Sequence, residues 1–579
     1  MKKFINAPED VERQVVDGYV KSYPGIIAKA ADDIVVRAHR KAAGKVALVS
    51  GGGMGHEPAH LGFVGAGMLD AAVGGAVFTS PAVDRVAAGI AAVSEGVSGV
   101  LLVIKNYTGD VVNFKMAADM AREDGVDVDY VVVDDDVAVQ DSSFTVGRRG
   151  VAGTLFVHKC AGAAAEEGMS LAEVKRVAQK VVANVRTMGV AIEPCTVPAA
   201  GKPGFELAED EMEMGVGIHG EPGVRRAAME PVDAMVDEIL GKILADLDFS
   251  GAEVAVMVNG AGGTPPYELA IASNHVHDVL AERGVRVART CMGPYMTSLE
   301  MRGFSVTLLR LDEELKRLLD APARAVAWTE GAVAGDAGAA AGGAGSDAGA
   351  ADGAGSAAPA PEGEPAVSEP EDPSARLVAR AIAAVASSMA EHKDELTELD
   401  MPIGDSDHGI NMARGFGAAA DQFPALASKD AATILRKAGM TVISKVGGSS
   451  GPLYGTLLRK LSASVKAAGG LTLASFTEGL EAGLAGIEEL AGGKPGDKTM
   501  LDAMQPAIAS LKDSVAAGAS SADALAAAAR AATEGAEATV PLVARKGRAS
   551  YLGERSVGHK DPGAASFAYC LAAVAACLR

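Results

Sequence analysis

The sequence predicts an α/β N-terminal half, an Ala/Gly/Pro-rich tether and an all-α C-terminal half. Three observations carry this. Short Val-rich runs alternate with helical stretches up to about residue 330, residues 331–373 are almost wholly Gly, Ala, Asp, Ser, Glu and Pro, and the chain beyond 374 carries apolar residues at helical spacing.

In the first half the runs Val46–Ser50, Val100–Ile104, Tyr130–Val133, Val254–Val258, Val285–Ala288 and Ser305–Leu309 read as strands covered on both faces. Polar segments follow them directly. Val46–Ser50 feeds Gly51-Gly52-Gly53-Met54-Gly55-His56-Glu57-Pro58, and Val100–Ile104 feeds Lys105-Asn106-Tyr107-Thr108-Gly109-Asp110. Ligands of open α/β sheets gather beyond the carboxyl ends of strands, where both loops are expected to fall. The glycine run lacks the G-K-[ST] ending of a Walker A loop and the G-x-G-x-x-G spacing, so it is not assigned a nucleotide. It is read as a loop whose amides approach a small polar ligand, with His56, Lys105 and Asp110 supplying hydrogen bonds and proton transfer. Taken singly, each of these has a structural reading as well. His219 sits among four glycines and a proline at 215–223, which predicts an exposed loop presenting one imidazole as ligand or nucleophile, or as a bystander.

The 43 residues of the tether cannot bury enough apolar surface to offset their ordering entropy, and as a flexible coil they would span on the order of 35 Å. That reach lets one globule dock on another's active site.

Beyond it, Val378, Ile382, Val385 and Met389 form one apolar stripe, and Ala-rich amphipathic segments follow at 410–440, 455–468, 475–491, 500–516, 522–540 and 564–578. The stripe leads into Leu399–Gly409, Leu-Asp-Met-Pro-Ile-Gly-Asp-Ser-Asp-His-Gly, which brings three carboxylates and an imidazole into one turn. Asp405 and Asp407 would diverge on a helix, but in a Gly-flanked loop both point at one cation, and Asp400 closes from the far side. Hard carboxylate oxygens with no cysteine nearby suit Mg²⁺ shared with nucleotide phosphates; an acidic turn capping the next helix is the competing reading. Gly-rich breaks at 446–452, 495–500 and 547–563 offer amide nests for phosphate oxygens and, in Arg548, a cation for the transferred group.

Composition narrows the partners. A net charge of −22 opposes nonspecific binding to nucleic acid or anionic lipid, so neither partner is expected. With no signal-peptide run and no apolar segment of about 18 residues, the expected location is cytoplasmic. Cys160, Cys195, Cys291, Cys570 and Cys577 are scattered without a C-x-x-C and read as reduced structural thiols. Aromatic residues at 4% leave cores of Ala, Val, Leu and Ile, which favour closely packed helices.

Together these segments resemble the dihydroxyacetone kinase family, in its single-chain form with a substrate-binding K domain fused to an ATP-binding L domain. The motifs that carry the resemblance lie at 51–58, 105–110, 147–150 (Gly-Arg-Arg-Gly) and 217–223 in the first half. In the second they are Gly-Asp-x-Asp-His-Gly at 404–409, Gly-Gly-Ser-Ser-Gly-Pro-Leu-Tyr-Gly-Thr at 447–456, Gly-Asp-Lys-Thr-Met at 496–500 and Gly-Arg-Ala-Ser-Tyr-Leu-Gly-Glu-Arg-Ser at 547–556. The resemblance implies a K domain over 1–330, in parts of about 1–185 and 186–330, a linker at 331–373, and a helical-barrel L domain over 374–579. It implies that His219 holds a ketone as a covalent hemiaminal, that Asp110 is the base with His56 assisting, and that Gly53, Met54, Gly55, His56, Lys105 and Asp110 line the substrate. Asp400, Asp405 and Asp407 would hold two Mg²⁺ ions. His408, Gly409, Ser449, Ser450, Met500, Arg548, Asp561, Pro562 and Gly563 would line the nucleotide.

The implied reaction is transfer from ATP to dihydroxyacetone, in a homodimer. Alternatives within the resemblance are D-glyceraldehyde or erythrulose as acceptor, a phosphotransferase-system donor, FAD-AMP lyase activity, and a carbonyl sensor using the first half alone. Two residues depart from the family pattern: Met54 and Ser406 stand where serine and glycine are usual. The first would remove a hydroxyl beside the substrate, and the second would cost the acidic turn some backbone freedom.

Overall fold

The structure is a computed structural model of the chain and describes residues 2–39, 44–139, 147–220, 223–331, 372–404, 406–423 and 429–578. The predicted tether lies outside the described residues except at its ends.

The first sheet contains β1 (Ile27–Ala31), β2 (Ile34–Arg37), β3 (Val46–Met54), β5 (Ala71–Val77), β6 (Gly99–Lys105) and β7 (Val128–Val133); β4 (Gly65–Ala66) lies apart. Its order is β1-β2-β5-β3-β6-β7, with β5, β3, β6 and β7 parallel. Period-two alternation divides each central strand between two cores. Leu48, Leu101 and Val103 face helices α4 (Thr154–Glu166) and α5 (Leu171–Asn184). Ala47, Val49, Leu102 and Ile104 face α2 (Val83–Ser94) and α3 (Thr108–Glu123), while α1 (Val11–Ser22) packs beside β1 and β5.

The second sheet contains β8 (Val185–Glu193), β9 (Glu211–Met214), β10 (Arg225–Ala228), β11 (Glu253–Gly260), β12 (Arg286–Gly293) and β13 (Arg302–Leu311), in the order β10-β9-β8-β13-β11-β12. Only β11 and β12 run parallel, because β13 returns between β8 and β11 antiparallel to both. Helices α6 (Val232–Asp246) and α7 (Pro266–Glu282) cover one face. The other face shares a core with α4 and α8 (Glu313–Asp320), so α4 is buried all round from Thr154 to Ala165. Strands β14 (Ala323–Ala325) and β15 (Trp328–Glu330) tie the end of this half back to β4.

All six predicted strands form, but β12 is not covered on both faces: it is the edge strand of its sheet and is mostly exposed or half-buried. β3 differs in one respect: it continues through Gly51, Gly52 and Gly53 to Met54, so the glycines expected in a loop are strand residues. Neighbouring backbone explains them. A Cβ on Gly51 would lie 2.2 Å from the Val73 carbonyl oxygen, and one on Gly53 2.5 Å from the Phe78 Cα.

The second half is helical: α9 (Pro373–Glu391), α10 (Lys393–Asp400), α11 (His408–Ala420), α12 (Ala431–Lys445), α13 (Ser450–Ala467), α14 (Leu473–Ala491), α15 (Leu501–Ala516), α16 (Ser521–Ala538) and α17 (Pro562–Ala576). Neighbour contacts run α9-α11-α12-α13-α14-α15-α16-α17 and back to α9, closing the helices into a ring around one core. The predicted stripe Val378, Ile382, Val385 and Met389 is buried in it. Within the amphipathic segment expected over 410–440 the described residues hold α11 and α12, the latter capped by Asp430, whose carboxylate accepts from Thr433 N. Small residues set the spacing: Gly439 packs on Gly455, and a Cβ on Gly535 would lie 2.4 Å from the Asp502 carbonyl oxygen of α15. Among the described residues no helix is long and apolar enough to cross a membrane, and the five cysteines are free thiols.

Candidate active site

Three aromatic rings and two charged groups meet where β3, β5 and β6 end. Lys105 closes β6 and is fully buried; its ammonium donates to the Gly51 carbonyl and to Asp110 Oδ2, both at 3.2 Å. Asp110 lies in the first turn of α3 and is also buried. Gly52 is required by Lys105, since a Cβ there would lie 2.1 Å from Nζ. His56 stacks on Phe78 at 5.1 Å, and its Nδ1 lies 2.8 Å from the Thr297 carbonyl. A carbonyl only accepts, so neutral His56 carries its proton on Nδ1 and Nε2 is its basic nitrogen.

His219 is not exposed. It is 4% accessible, held edge-on by Tyr107 at 4.4 Å, His56 at 4.8 Å and Phe78 at 5.5 Å. The expectation of an open loop fails because rings from three distant segments, 56, 78 and 107, close over it, and spacing within 215–223 holds no trace of them.

Three residues of the glycine run make contacts within the first half. Met54 is buried in the hydrophobic core, its thioether against Gly74. The Gly55 amide donates to both carboxylate oxygens of Glu57 at 3.1 Å, and burial pushes the Glu57 carboxyl up from its ordinary value. The Gly53 backbone pairs with Gly75 of β5.

The helical half presents a cleft lined by Asp400, Asp407, His408, Ser449, Ser450, Lys498, Met500, Arg548, Asp561, Pro562 and Gly563, and closed on its far side by Thr108 and Gly109 of α3. Asp400 ends α10 and its Oδ2 accepts from the amides of Asp407 at 3.0 Å and His408 at 3.3 Å. Burial, then the nearby Asp407 charge, pushes the Asp400 carboxyl up, and burial pushes His408 down. His408 is pinned by Ser450 Oγ at 3.2 Å on Nδ1 and by Ser566 Oγ at 2.9 Å on Nε2. Gly409 packs beneath it against the Lys393 carbonyl. Asp561, raised by burial to about 7, caps α17 by accepting from Ala564 N at 2.7 Å.

Asp405 lies outside the described residues. Asp400 and Asp407 fit a divalent cation: two carboxylates brought into mutual repulsion in a buried turn are what a hard cation relieves. Ser406, between the two outer aspartates, adopts φ of 63°. That left-handed conformation is the one glycine takes without strain.

The two halves touch at this cleft. The Thr79 hydroxyl donates to the Asp407 carboxylate, Gly448 N donates to the Ser80 carbonyl at 3.2 Å, and Asn113 Nδ2 donates to the Gly448 carbonyl at 3.2 Å. Arg548 reaches out of the helical half to the Phe78 carbonyl at 3.1 Å, its guanidinium 5.7 Å from the centre of the Tyr107 ring. The predicted substrate and nucleotide residues thus form two adjoining clusters, with Arg548 at their boundary.

Residues 17–327 match the model of the Dak1 domain and residues 402–576 that of the DAK2 domain. The chain is 40% identical over 581 residues to D-erythrulose kinase of Mycolicibacterium smegmatis, covering 100% of this chain and 99% of the relative. The chain belongs to the dihydroxyacetone kinase family. It is a phosphotransferase of the alcohol-acceptor class. Its first half is 52% identical over 330 residues to the dihydroxyacetone-binding subunit DhaK of the PTS-dependent dihydroxyacetone kinase 1 of Listeria innocua, covering 57% of this chain and 100% of that one. Among solved structures it is similar to the dihydroxyacetone kinase of C. freundii in complex with AMP-PNP and Mg²⁺, at 32% identity and a TM-score of 0.52 over 99% of both chains.

In this kinase several site residues escaped sequence reasoning. Phe78, Thr79 and Ser80 follow β5, a strand whose Ala/Gly-rich sequence gives little signal, and Phe78 has φ of 61° without being glycine. Tyr107 lies inside a recognised motif, yet its role as a wall of the His219 pocket depends on a residue 112 positions away. Thr297 could not be found from spacing: its carbonyl meets His56 and its hydroxyl donates to the Glu57 carbonyl at 2.9 Å, both some 240 positions away in the chain.

Proposed function

We propose that the chain is an ATP-dependent ketose kinase that phosphorylates dihydroxyacetone to dihydroxyacetone phosphate. One observation carries the reading: the cleft with Asp400, Asp407 and the Gly447–Ser450 turn is closed by Thr108 and Gly109, and Asp110 follows directly on the substrate side. A terminal phosphate held there lies next to an acceptor held beside Asp110, the proximity that in-line transfer demands.

In this reading a His219 nitrogen adds to the ketone carbonyl carbon as the C=O π bond breaks, and the imidazole's N–H proton is lost as the oxygen gains one, giving a neutral hemiaminal that selects ketoses over glycerol. The acceptor hydroxyl gives its proton to Asp110, with His56 assisting through Nε2. Lys105 and the engaged Gly51–Gly55 strand end fix the pocket. Ser449, Ser450, Met500, Pro562 and Gly563 line the nucleotide, and Arg548 stabilises charge on the transferred group. Mg²⁺ held by Asp400, Asp405 and Asp407 supplies neutralisation of phosphate charge.

Erythrulose is the second acceptor, favoured by the full-length similarity to an erythrulose kinase. A homodimer through the first halves belongs to the same proposal and is tested by sedimentation. The test of function offers Mg-ATP with dihydroxyacetone, D-glyceraldehyde, erythrulose and glycerol in parallel, with products identified by mass. Phosphorylation of a ketose but not of glycerol supports the reading, and equal use of glycerol contradicts the hemiaminal.

A further inference from the structure

We propose that Arg555 is a positioning residue that couples seating of the helical half to the shape of the His219 loop; the kinetic part rests on the transfer reading above. That loop is a hairpin between β9 and β10, whose base is closed where Val224 N donates to the Met214 carbonyl at 3.0 Å. From inside the first half, buried Arg149 holds the hairpin by donating to the Gly215 carbonyl at 2.6 Å. From the helical half, Arg555 Nη1 donates to Glu213 Oε1 and to the Gly223 carbonyl, each at 2.6 Å. Glu213 lies on β9 and Gly223 two residues before β10, so a single guanidinium clamps both ends of the loop that carries His219.

The carboxylate at the clamp is unusual for an interface. Glu213 is fully buried, and its other cation is Arg226 Nε at 3.2 Å, from within the same sheet. A buried carboxylate needs cationic partners, and undocking of the helical half withdraws one of them. Arg555 also shares the 548–556 segment with Arg548, and the two point to different walls of the His219 pocket. Gly553, with φ of 52° and ψ of −126°, bends the segment between them. Arg548 grips the Phe78 and Tyr107 side and Arg555 grips the hairpin base. Seating the nucleotide half therefore sets the pocket from both sides.

The test compares Arg555→Ala with Arg226→Ala in the full chain. Arg226 touches the same carboxylate without crossing to the helical half, and both arginines are more than a third exposed, so neither substitution removes core packing. Hydrogen exchange over 214–224 and steady-state kinetics with ketose and Mg-ATP are measured for each. Loss of a charge-assisted hydrogen bond predicts, for Arg555→Ala, about tenfold or greater faster exchange and about tenfold or greater lower kcat, with KM for ATP unchanged. Arg226→Ala, which leaves the contact between the halves intact, speeds exchange less than Arg555→Ala and keeps kcat near the parent. Equal effects of the two substitutions, or unchanged exchange in Arg555→Ala, overturn the proposal. If the parent chain turns over no ketose, the transfer reading fails and the exchange comparison alone decides on Arg555.

Discussion

Gly109 and Gly448 lie against each other across the junction of the two halves: a Cβ on Gly109 would sit 3.0 Å from the Gly448 carbonyl carbon. That Cβ would also lie 2.6 Å from the Ser80 hydroxyl oxygen, whereas one on Gly448 would meet open space, so the close approach of the start of α3 to the phosphate-side turn is set by the absent side chain of Gly109. Gly109→Val is expected to hold the halves apart and lower kcat about 100-fold, the cost of roughly an ångström of misplacement. Nucleotide affinity, measured by calorimetry, should be unchanged.

His219→Ala is expected to abolish covalent capture of the ketone and raise its KM, because the three rings around the imidazole then enclose a void with no nucleophile. Intact-mass and NMR measurements of the bound ketone check it. Retained capture would contradict the assignment.

Asp407→Ala removes a carboxylate from the acidic turn and the acceptor of the Thr79 hydroxyl. Phosphate transfer should fall by about 1000-fold or more, since charge neutralisation at the transferred phosphate is worth several kcal/mol, while ketone capture survives.

Ser406→Gly should stabilise the helical half by about 1 kcal/mol, by replacing an L-residue at φ of 63° with the one residue that adopts it without strain. Denaturant unfolding of the two chains side by side measures it.

A buried histidine pair makes the first half acid-sensitive. His60 Nδ1 lies 3.0 Å from His158 Nε2, and burial, with Lys105 nearby, pushes His158 down to about 3 and His60 well below its ordinary value. Both folded-state values are depressed below the unfolded 6.5, so the unfolded chain binds more protons in acid. The stability is present above pH 6.5 and is lost as pH falls from there toward 3, at up to about 1.4 kcal/mol per pH unit for each group. His158→Gln should flatten the pH dependence of the urea midpoint between pH 7 and 5.

The fold was legible where periodicity is strong. The Val-rich strands of both sheets and the Val378–Met389 stripe are where the sequence places them; apart from the edge strand β12, each buries residues at a regular spacing. β1, β2, β5 and β8 to β10 were not read. The β9–β10 hairpin is short and half polar, with Glu211, Glu213, Arg225 and Arg226 on it, and the partners that make those charges tolerable come from elsewhere in the fold. The site divides the same way. The aspartates, His56, Lys105 and His219 stand out as residue types in glycine-rich settings. Phe78, Tyr107 and Thr297 do not, since an aromatic wall or a backbone carbonyl has no local signature. The glycines stand out in the sequence, and the structure adds a physical reason for them: they admit Lys105 and the neighbouring strand.

The most direct measurement is the yield of ketose phosphate from the purified full chain with Mg-ATP as sole phosphoryl donor and dihydroxyacetone as acceptor. The account predicts stoichiometric conversion of ATP and ketose to ADP and dihydroxyacetone phosphate, lost in both His219→Ala and Asp407→Ala. No transfer from ATP, with phosphorylation only when a separate phosphoprotein donor is supplied, would contradict it.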